Sequence, residues 1–317
     1  MLTTDSTSTS VAQQFDLGRL TEDDRKVLTD RCISLRLASK LVEAGLLDHY
    51  SGTMPNEKRW RKRYGLDKEL RIDGLPEIPA EGLAIIYPAC DDGLKRYRIR
   101  LASTSYERPF DDPSGHSSHE TVELPRYFAT PGVPVAPYIL PPTIAEMRKG
   151  KPVYFVEAPP KAMSLISNGF AAIGLGGVLA GAHDRDALKE LGEIVAHDAL
   201  QALPWTPGHI AYSVFDAGQT TNPQVALGVA YLWQAVQGLR VDLRVVTIPE
   251  NPHAKNASHK ARDQGPDDFL ARTGRAPLMD IAPEDGRAAT LKFFSMLAQT
   301  WQLFEGENPS ALTMRTL

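Results

Sequence analysis

The stretch that decides the fold runs from residue 153 to residue 178 and reads VYFVEAPPKAMSLISNGFAAIGLGGV. Its two short apolar runs, residues 153–156 and 171–175, are typical of buried β-strands. The segment between them begins with two prolines, and the first turn of a helix tolerates proline. A strand, a helix and a second strand in this order predict a βαβ unit with parallel strands.

The same alternation continues toward the C-terminus. Further strands are predicted at residues 210–215 and 243–248, and helices at 186–203, 225–239 and 288–304, with a shorter helix opening at 265–268. Strands that alternate with helices predict one parallel sheet with helices on both faces. The predicted fold class is therefore α/β, a parallel sheet with flanking helices preceded by a smaller α+β N-terminal domain.

The N-terminal half has a mixed pattern. Residues 20–47 are predicted to be helical, with Thr21 as a cap before three acidic residues that complement the positive end of a helix. Residues 102–123 are polar, so a mobile loop is expected there, and the proline-rich connector 131–142 marks a domain boundary. The predicted divisions are a disordered lead at 1–18, an α+β module at 19–145, a sheet domain at 146–275 and a helical tail at 276–317.

Basic residues are concentrated in two places of the N-terminal half. The runs 82–88 and 97–101 flank an Asp-Gly turn and predict a β-hairpin, in which alternation puts Arg98 and Arg100 on one face. Residues 58–63 read KRWRKR, and basic side chains around a tryptophan can bind phosphates while the ring stacks on a base. The candidates in this run are Lys58, Arg59, Trp60 and Arg61. A solvated charged face is an equal alternative for it.

Composition excludes several classes of protein. Of 317 residues, 42% are hydrophobic and 23% are charged, which is ordinary for a globular protein and excludes collagen-like and wholly disordered chains. A net charge of −4 speaks against wholesale polyanion binding but leaves room for a local basic patch. No apolar run is long enough to span a membrane. Two cysteines without a C-x-x-C pair make a zinc site unexpected and a reducing cytoplasm the simplest location.

Acidic residues fall just after the predicted strands. Glu157 follows the first strand of the sheet, Asp216 the third, and Asp267 and Asp268 come after the fourth. Functional groups in an open parallel sheet collect beyond the carboxyl ends of its strands, and Mg²⁺ accepts carboxylate, phosphate and water oxygens. The alternative is that these acids only cap the helices that follow, which the usual N-cap preferences favour.

Residues 153–178 resemble the Toprim-like domain of phage, plasmid and integrative-element replication proteins. The similar family has the pattern E-G-E-K-K-A followed, after a spacer, by G-x-x-A-I-G-L-G-G. Glu157 and Lys161 match this pattern, whereas the usual glycine and first lysine are absent. The strand end at Asp216 and the G-x-D-D-F-L segment at residues 265–270 match later motifs of the family.

The region before this domain is more loosely similar to DnaG-type bacterial primases. In those proteins a G-R pair and a K-Y-L segment line the channel for nucleic acid and nucleotides. The hairpin that carries Arg98 and Arg100 resembles the first feature, and the segment Arg126-Tyr127-Phe128 resembles the second. The resemblance therefore implies a primase-like arrangement of two domains.

The resemblance also implies a function in the replication of a mobile element, with DNA or nucleotides as ligands, a replicative helicase as one candidate partner and no membrane. It implies catalytic roles for Glu157, Asp216 and Lys161, Mg²⁺ or Mn²⁺ ligation by Glu157, Asp216 and Asp268, and phosphate binding by Arg98, Arg100 and Arg126. Three functions stay open, namely a Mg²⁺-dependent primase-like nucleotidyltransferase, a Toprim nuclease, and a catalytically silent nucleic-acid-binding or adaptor protein.

One departure from the family weakens the expected metal site. A Toprim centre normally carries a D-x-D pair, but position 218, two residues after Asp216, is glycine. One carboxylate is therefore missing, and Mg²⁺ affinity follows the number and charge of the ligands. We expect weak metal binding that improves only when a phosphate supplies further oxygens.

Overall fold

A computed structural model gives the fold of the chain and describes residues 16–53, 79–88, 96–111, 117–124, 126–129, 133–178, 180–181, 194–217, 223–249, 265–292 and 295. Its helices are α1 (Glu22–Asp30), α2 (Leu35–Glu43), α3 (Pro141–Met147), α4 (Pro159–Ser167), α5 (Asp198–Gln201), α6 (Pro223–Gln237), α7 (Pro266–Thr273) and α8 (Arg275–Met279). Its strands are β1 (Leu47–Thr53), β2 (Pro79–Ile86), β3 (Tyr97–Leu101), β4 (Ser105–Asp111), β5 (Ser117–Glu123), β6 (Tyr127–Ala129), β7 (Tyr138–Ile139), β8 (Val153–Val156), β9 (Ala171–Gly174), β10 (Ile210–Ser213), β11 (Asp242–Val245) and β12 (Glu284–Asp285). Residues 286–292 form a further helical segment.

The largest sheet has six strands in the order β12-β11-β10-β8-β9-β7. Its four central strands run parallel, and β7 and β12 pair antiparallel at the two edges. The predicted α/β fold with one parallel sheet is therefore confirmed. The four parallel strands are the four apolar runs that the sequence indicated, and buried parallel strands are commonly continuous apolar runs.

Helices cover both faces of this sheet and enclose two layers of core. One layer lies against α5 and α6 and contains Phe155, Leu200 and Val236, each without exposed surface. The other layer joins α4 and α7 to the N-terminal helices through residues such as Met163 and Leu28. Because the second layer draws on both halves of the chain, the N-terminal module and the parallel sheet share one hydrophobic core.

The N-terminal module combines α1 and α2 with an antiparallel sheet of order β1-β2-β3-β6. The predicted cap of α1 is confirmed, since the Thr21 hydroxyl accepts from the backbone N–H of Asp24 and the Asp24 carboxylate accepts from the backbone of Thr21. Asp24 also lies 2.7 Å from His49 Nδ1 in β1, so the cap ties α1 to the sheet. The predicted hairpin is the β2–β3 pair.

Two sequence predictions for the described residues are wrong. Residues 102–123 include the antiparallel pair β4–β5 rather than one loop, because β-pairing does not require an apolar face. The helix predicted for 186–203 is reduced in the described part to the single turn of α5, since residues 194–197 are not helical. The connector 131–142 contains β7 and the start of α3.

The six-stranded sheet takes one strand from each side of the predicted range 146–275. Strand β7 precedes that range, and β12 lies in the predicted helical tail. The predicted lead at 1–18 and the run KRWRKR at 58–63 lie largely or wholly outside the described residues, as does position 218. Among the described residues, no helix has the length and apolar character needed to cross a membrane.

Candidate functional site

Glu157, Lys161 and Asp216 meet at the carboxyl edge of the parallel sheet. Glu157 follows β8 and Asp216 follows the neighbouring strand β10, so the topology brings both to the same edge, as predicted. The backbone N–H of Asp216 donates to Glu157 Oε1 over 3.4 Å. Lys161, in the first turn of α4, lies between the two carboxylates. Its Nζ is 3.3 Å from Glu157 Oε2 and contacts Asp216 Oδ1.

Burial strengthens the electrostatic coupling within this group. Burial alone would lower the pKa of Lys161, but the carboxylates of Asp216, Glu157 and Asp267 raise it by more, so the pKa lies above its ordinary value. Burial raises the pKa of Glu157, and the ammonium of Lys161 opposes that rise only in part. Lys161 therefore remains a charged ammonium at neutral pH, held by two carboxylates in a poorly hydrated place.

The N-terminus of α7 reaches the same place through Gly265 and Asp267. A Cβ added to Gly265 would stand 2.4 Å from Asp267 Oδ1, 2.8 Å from Lys161 Cε and 3.0 Å from Asp216 Oδ1. These three atoms thus surround one point, which only a residue without a side chain can occupy. The Asp267 side chain is 1% exposed, and within the described part of the chain its Oδ1 has no hydrogen-bond partner.

Arg31 links the N-terminal module to this group. It caps the C-terminus of α1, and its Nη1 donates to Asp267 Oδ2 from the opposite end of the sequence. Burial lowers the pKa of Arg31, but Tyr127, Asp267 and Asp268 outweigh it and raise the pKa overall. Burial also raises the pKa of Asp267, and the positive charges of Arg31 and Lys161 oppose this rise. The pair therefore joins α1 to α7 beside the carboxylates of the sheet edge.

The arginines of β3 lie next to Arg31. Arg98 and Arg100 share one face of the strand, as alternation predicted, and Arg98 Nη1 donates to the carbonyl of Gly176 just beyond β9 over 3.1 Å. The Arg98 guanidinium stacks on the Tyr127 ring, with 5.2 Å between the guanidinium carbon and the ring centroid. Burial lowers the pKa of Arg100, and the nearby charges of Arg126 and Arg31 lower it further. The basic residues of the module therefore face the sheet domain.

Two guanidinium N–H groups on this surface have no partner. Arg98 Nε and Arg100 Nε are buried, and the described residues offer neither of them an acceptor. Buried donors are normally satisfied, so these two are unusual. Because both Nε atoms are buried while both arginines are half-exposed as whole residues, an external acceptor would meet the exposed part of each side chain. Arg126 is exposed beside them, at the start of β6.

The remaining predicted residues fall elsewhere. Asp268 is exposed, and its Oδ2 accepts from the backbone N–H of Gly265 over 3.4 Å, so it caps α7 as the alternative interpretation of these acids held. The structure thus brings Asp267, rather than Asp268, beside Lys161. The candidates Lys58, Arg59, Trp60 and Arg61 lie outside the described residues.

The carboxylates at the sheet edge fit Mg²⁺ only if waters and phosphate oxygens supply most of its ligands. In the described part of the chain no three histidine, cysteine or carboxylate side chains converge as a ready-made metal site. Mg²⁺ does not require one, because it keeps several waters and binds through one or two carboxylates together with substrate phosphates. Glu157 and Asp216 can provide the two carboxylates, with the unpartnered Oδ1 of Asp267 close by.

Arg31 and Tyr127 are the residues whose place in the site the sequence did not reveal. Arg31 lies 236 positions from its partner Asp267 and belongs to no motif. Tyr127 appeared only as a neighbour of Arg126, yet its ring and hydroxyl lie among Arg98, Arg100 and Arg31. The sequence did contain one signal for the acidic partner of Arg31, because the G-x-D-D segment includes Asp267 as well as Asp268.

Comparison with known proteins gives a family without an assigned function and a distant structural similarity. Residues 145–276 match the family model described as a domain of unknown function, DUF3854. No curated protein matches the chain. Among solved structures, the crystal structure of the zinc-binding and RNA polymerase domains of the Aquifex aeolicus primase is similar, with a TM-score of 0.45 and 15% sequence identity. The match covers 86% of this chain and 56% of that chain, so it spans little more than half of the primase structure.

Proposed function

We propose that this chain is a nucleic-acid-associated replication protein of a mobile element that binds DNA or nucleotide phosphates between its N-terminal module and its parallel sheet. The observation that carries the proposal is that the half-exposed arginines of β3 reach the sheet domain at Gly176, just beyond β9, while a carboxylate–lysine group lies at the carboxyl edge of the same sheet. Arg98 and Arg100 offer charged N–H donors, and charged donors are the strong partners of phosphate oxygens. Glu157 and Asp216 supply the acidic side of the same region.

The proposed chemistry is phosphoryl transfer of the Toprim and primase type. Glu157 and Asp216 would hold Mg²⁺, which neutralises phosphate charge when it is bound. Lys161 would donate to a phosphate oxygen, and the three arginines Arg98, Arg100 and Arg126 would orient the phosphate backbone. Catalysis by such a site is largely positioning and charge stabilisation, so the missing carboxylate at position 218 would weaken metal binding and reduce the rate.

A catalytically silent adaptor is the second candidate, and one observation favours it. The Lys161 ammonium already pairs with both carboxylates, so the group holds together without a metal ion. Incubation with labelled DNA, and separately with template and ribonucleotides, distinguishes the candidates in the presence of Mn²⁺. Strand cleavage indicates a nuclease, primer synthesis indicates a primase, and binding without either product indicates the adaptor.

The arginines of β3 give the sharpest test of nucleic-acid binding. We expect the double variant Arg98→Ala/Arg100→Ala to bind single-stranded DNA at least about tenfold more weakly, because two charge-assisted contacts are lost. The salt dependence should also flatten, by about 0.7 of a unit in the log–log slope for each lost phosphate contact on a single strand. Fluorescence anisotropy across a salt series measures both quantities.

The matched control removes the same charge from elsewhere. Lys26 and Lys292 are exposed and each is paired with a carboxylate, so Lys26→Ala/Lys292→Ala lowers the net charge equally. If the control and the arginine variant weaken binding to the same degree, the attraction is non-specific. Unchanged affinity and slope in a folded arginine variant would show that this surface does not bind DNA.

A further inference from the structure

The Lys161 ammonium stands where a bound cation would be expected. It lies between Glu157 and Asp216, and its side chain is only 11% exposed. One interposed positive charge is what two adjacent buried carboxylates need in order to remain ionised together. The protein thus supplies from its own chain one of the two positive charges that a divalent metal ion would bring to these two side chains.

A second observation shows that the group is still short of positive charge. Asp267 is almost completely buried, yet its Oδ1 has no partner among the described residues and lies next to the Lys161 stem. Leaving a buried carboxylate oxygen unpaired is unfavourable. Three carboxylates, those of Glu157, Asp216 and Asp267, are balanced here by only two cationic side chains, Lys161 and Arg31.

We propose that Lys161 is a displaceable internal cation that couples the binding of phosphate to the binding of a divalent metal ion. Without a ligand, its ammonium pairs with Glu157 and Asp216 and competes with the metal for them. A bound phosphate attracts the ammonium, and lysine can follow because it is a compact charge on a flexible four-carbon stem. Its departure leaves two ionised carboxylates, whose charge matches that of one divalent cation.

This inference deepens the proposed function, since it requires a phosphate ligand at the sheet edge. It differs from direct ligation of the metal by phosphate in the residue on which the coupling depends. Because the coupling between two ligands is reciprocal, phosphate must tighten metal binding by the same factor by which the metal tightens phosphate binding. Lys161 is the residue on which that factor depends.

The first measurement is Mn²⁺ binding to the full chain without nucleic acid. Lys161→Met keeps a long apolar stem but removes the ammonium, so we expect it to bind Mn²⁺ on the order of tenfold more tightly than the wild type, within the usual range of coupling factors. The signal of free Mn²⁺ in electron paramagnetic resonance reports the affinity, at mildly alkaline pH so that the unpaired carboxylates stay ionised. The control is Lys149→Met, which removes an exposed lysine that donates to Glu146.

The second measurement begins with the unmodified protein, so its first result does not depend on the stability of a variant. Anisotropy of a labelled single-stranded oligonucleotide should show tighter binding when Mn²⁺ is added. The increase should exceed the change that a salt without a divalent cation produces at equal ionic strength. In folded Lys161→Met this enhancement should disappear, because the carboxylates are free from the start.

The outcomes separate the inference from the function on which it rests. Equal Mn²⁺ affinity in the wild type and in folded Lys161→Met would overturn the inference, even if DNA binds. Should that variant fail to fold, an oligonucleotide affinity that Mn²⁺ does not enhance in the wild type would overturn it instead. If no oligonucleotide binds under any condition, the proposed function is refuted. Tighter Mn²⁺ binding by Lys161→Met would even then show that the Lys161 ammonium competes with the metal ion for the two carboxylates.

Discussion

Asp267 has the lowest exposure of the three carboxylates at the sheet edge, at 1% against 19% for Glu157 and 21% for Asp216. Burial raises its pKa above the ordinary value of 3.8, although Arg31 and Lys161 oppose the rise. In the pH range between the ordinary and the raised pKa, the folded protein therefore binds a proton that the unfolded chain has lost. Stability consequently falls as pH rises through this range.

We predict that Asp267→Asn becomes more stable relative to the wild type as pH is raised from about 4 to neutral. Asparagine mimics the protonated carboxyl group, so the two proteins should be most alike at the acidic end. The thermal unfolding midpoints of both, measured across this range, give the trend. A constant difference would show that Asp267 does not titrate differently in the folded state.

Glu146 provides a control of opposite sign. Hydrogen bonds from Lys149 and Lys151 lower its pKa to about 2. Its contribution to stability is present above the ordinary carboxyl pKa and is lost as pH falls toward the lowered value. Glu146→Gln should therefore lose stability relative to the wild type as pH rises, which is the reverse of the trend for Asp267→Asn.

At the residue scale, the sequence located the side chains of the sheet edge wherever they lie within a local motif. Glu157 and Lys161 are four positions apart at a strand–helix junction, and Asp216 follows a recognisable strand. Arg31 could not be found in this way, because its role exists only once α1 and α7 pack together across the whole chain. The choice between Asp267 and Asp268 likewise depends on the rotation of α7, which local sequence does not specify.

At the scale of elements, the docking of α7 against the parallel sheet depends on Gly265. Its φ of −77° is accessible to any residue. Glycine is therefore required at this position because there is no room for a side chain, and not because the backbone conformation is unusual. An added methyl group would overlap Asp267 Oδ1 and crowd Asp216 Oδ1. The close approach of backbone to side chains here is what brings the N-terminus of α7 to Lys161.

We expect Gly265→Ala to lower the free energy of unfolding by about 1 to 3 kcal/mol, the usual cost of overpacking. It should also change the environment of Lys161, which can be followed by nuclear magnetic resonance of the ammonium group. The matched control is Gly238→Ala, where the added methyl group meets nothing closer than 3.8 Å. Equal stability of the two variants in chemical denaturation would show that the space at Gly265 is not needed.

Elements were predictable from sequence when burial imposed a pattern on them. The four parallel strands are apolar runs between turn residues, and their predicted ends lie within three residues of the observed ones. The pair β4–β5 was missed because its strands are rich in serine, glutamate and proline, which carry no apolar alternation. The two-residue strands β7 and β12 are too short for any periodicity, and they form because the sheet offers them partners.

At the scale of the whole molecule, the N-terminal module and the parallel sheet behave as parts of one packed body. Leu28 and Leu41 of the module belong to the same core cluster as Met163 and Phe269 of the sheet domain. The backbone N–H of Ser34 also donates to Ser167 Oγ at the end of α4 over 3.0 Å. The arginines of one part and the carboxylates of the other are therefore held in a fixed relation, as a site between them requires.

Strands β7 and β12 also protect the sheet from other copies of the chain. A bare strand edge presents unpaired N–H and C=O groups on which a second molecule can add its own strand, and such templates lead to aggregation. Here β7 covers β9, and β12, which consists of Glu284 and Asp285, covers β11 with two acidic residues. A fragment of residues 146–275 loses both strands, whereas a fragment of residues 133–295 keeps them. Both fragments lack the N-terminal module and expose the same part of the shared core, so the shorter one should self-associate more strongly in analytical ultracentrifugation. Equal self-association of the two fragments would show that β7 and β12 do not protect the sheet edges.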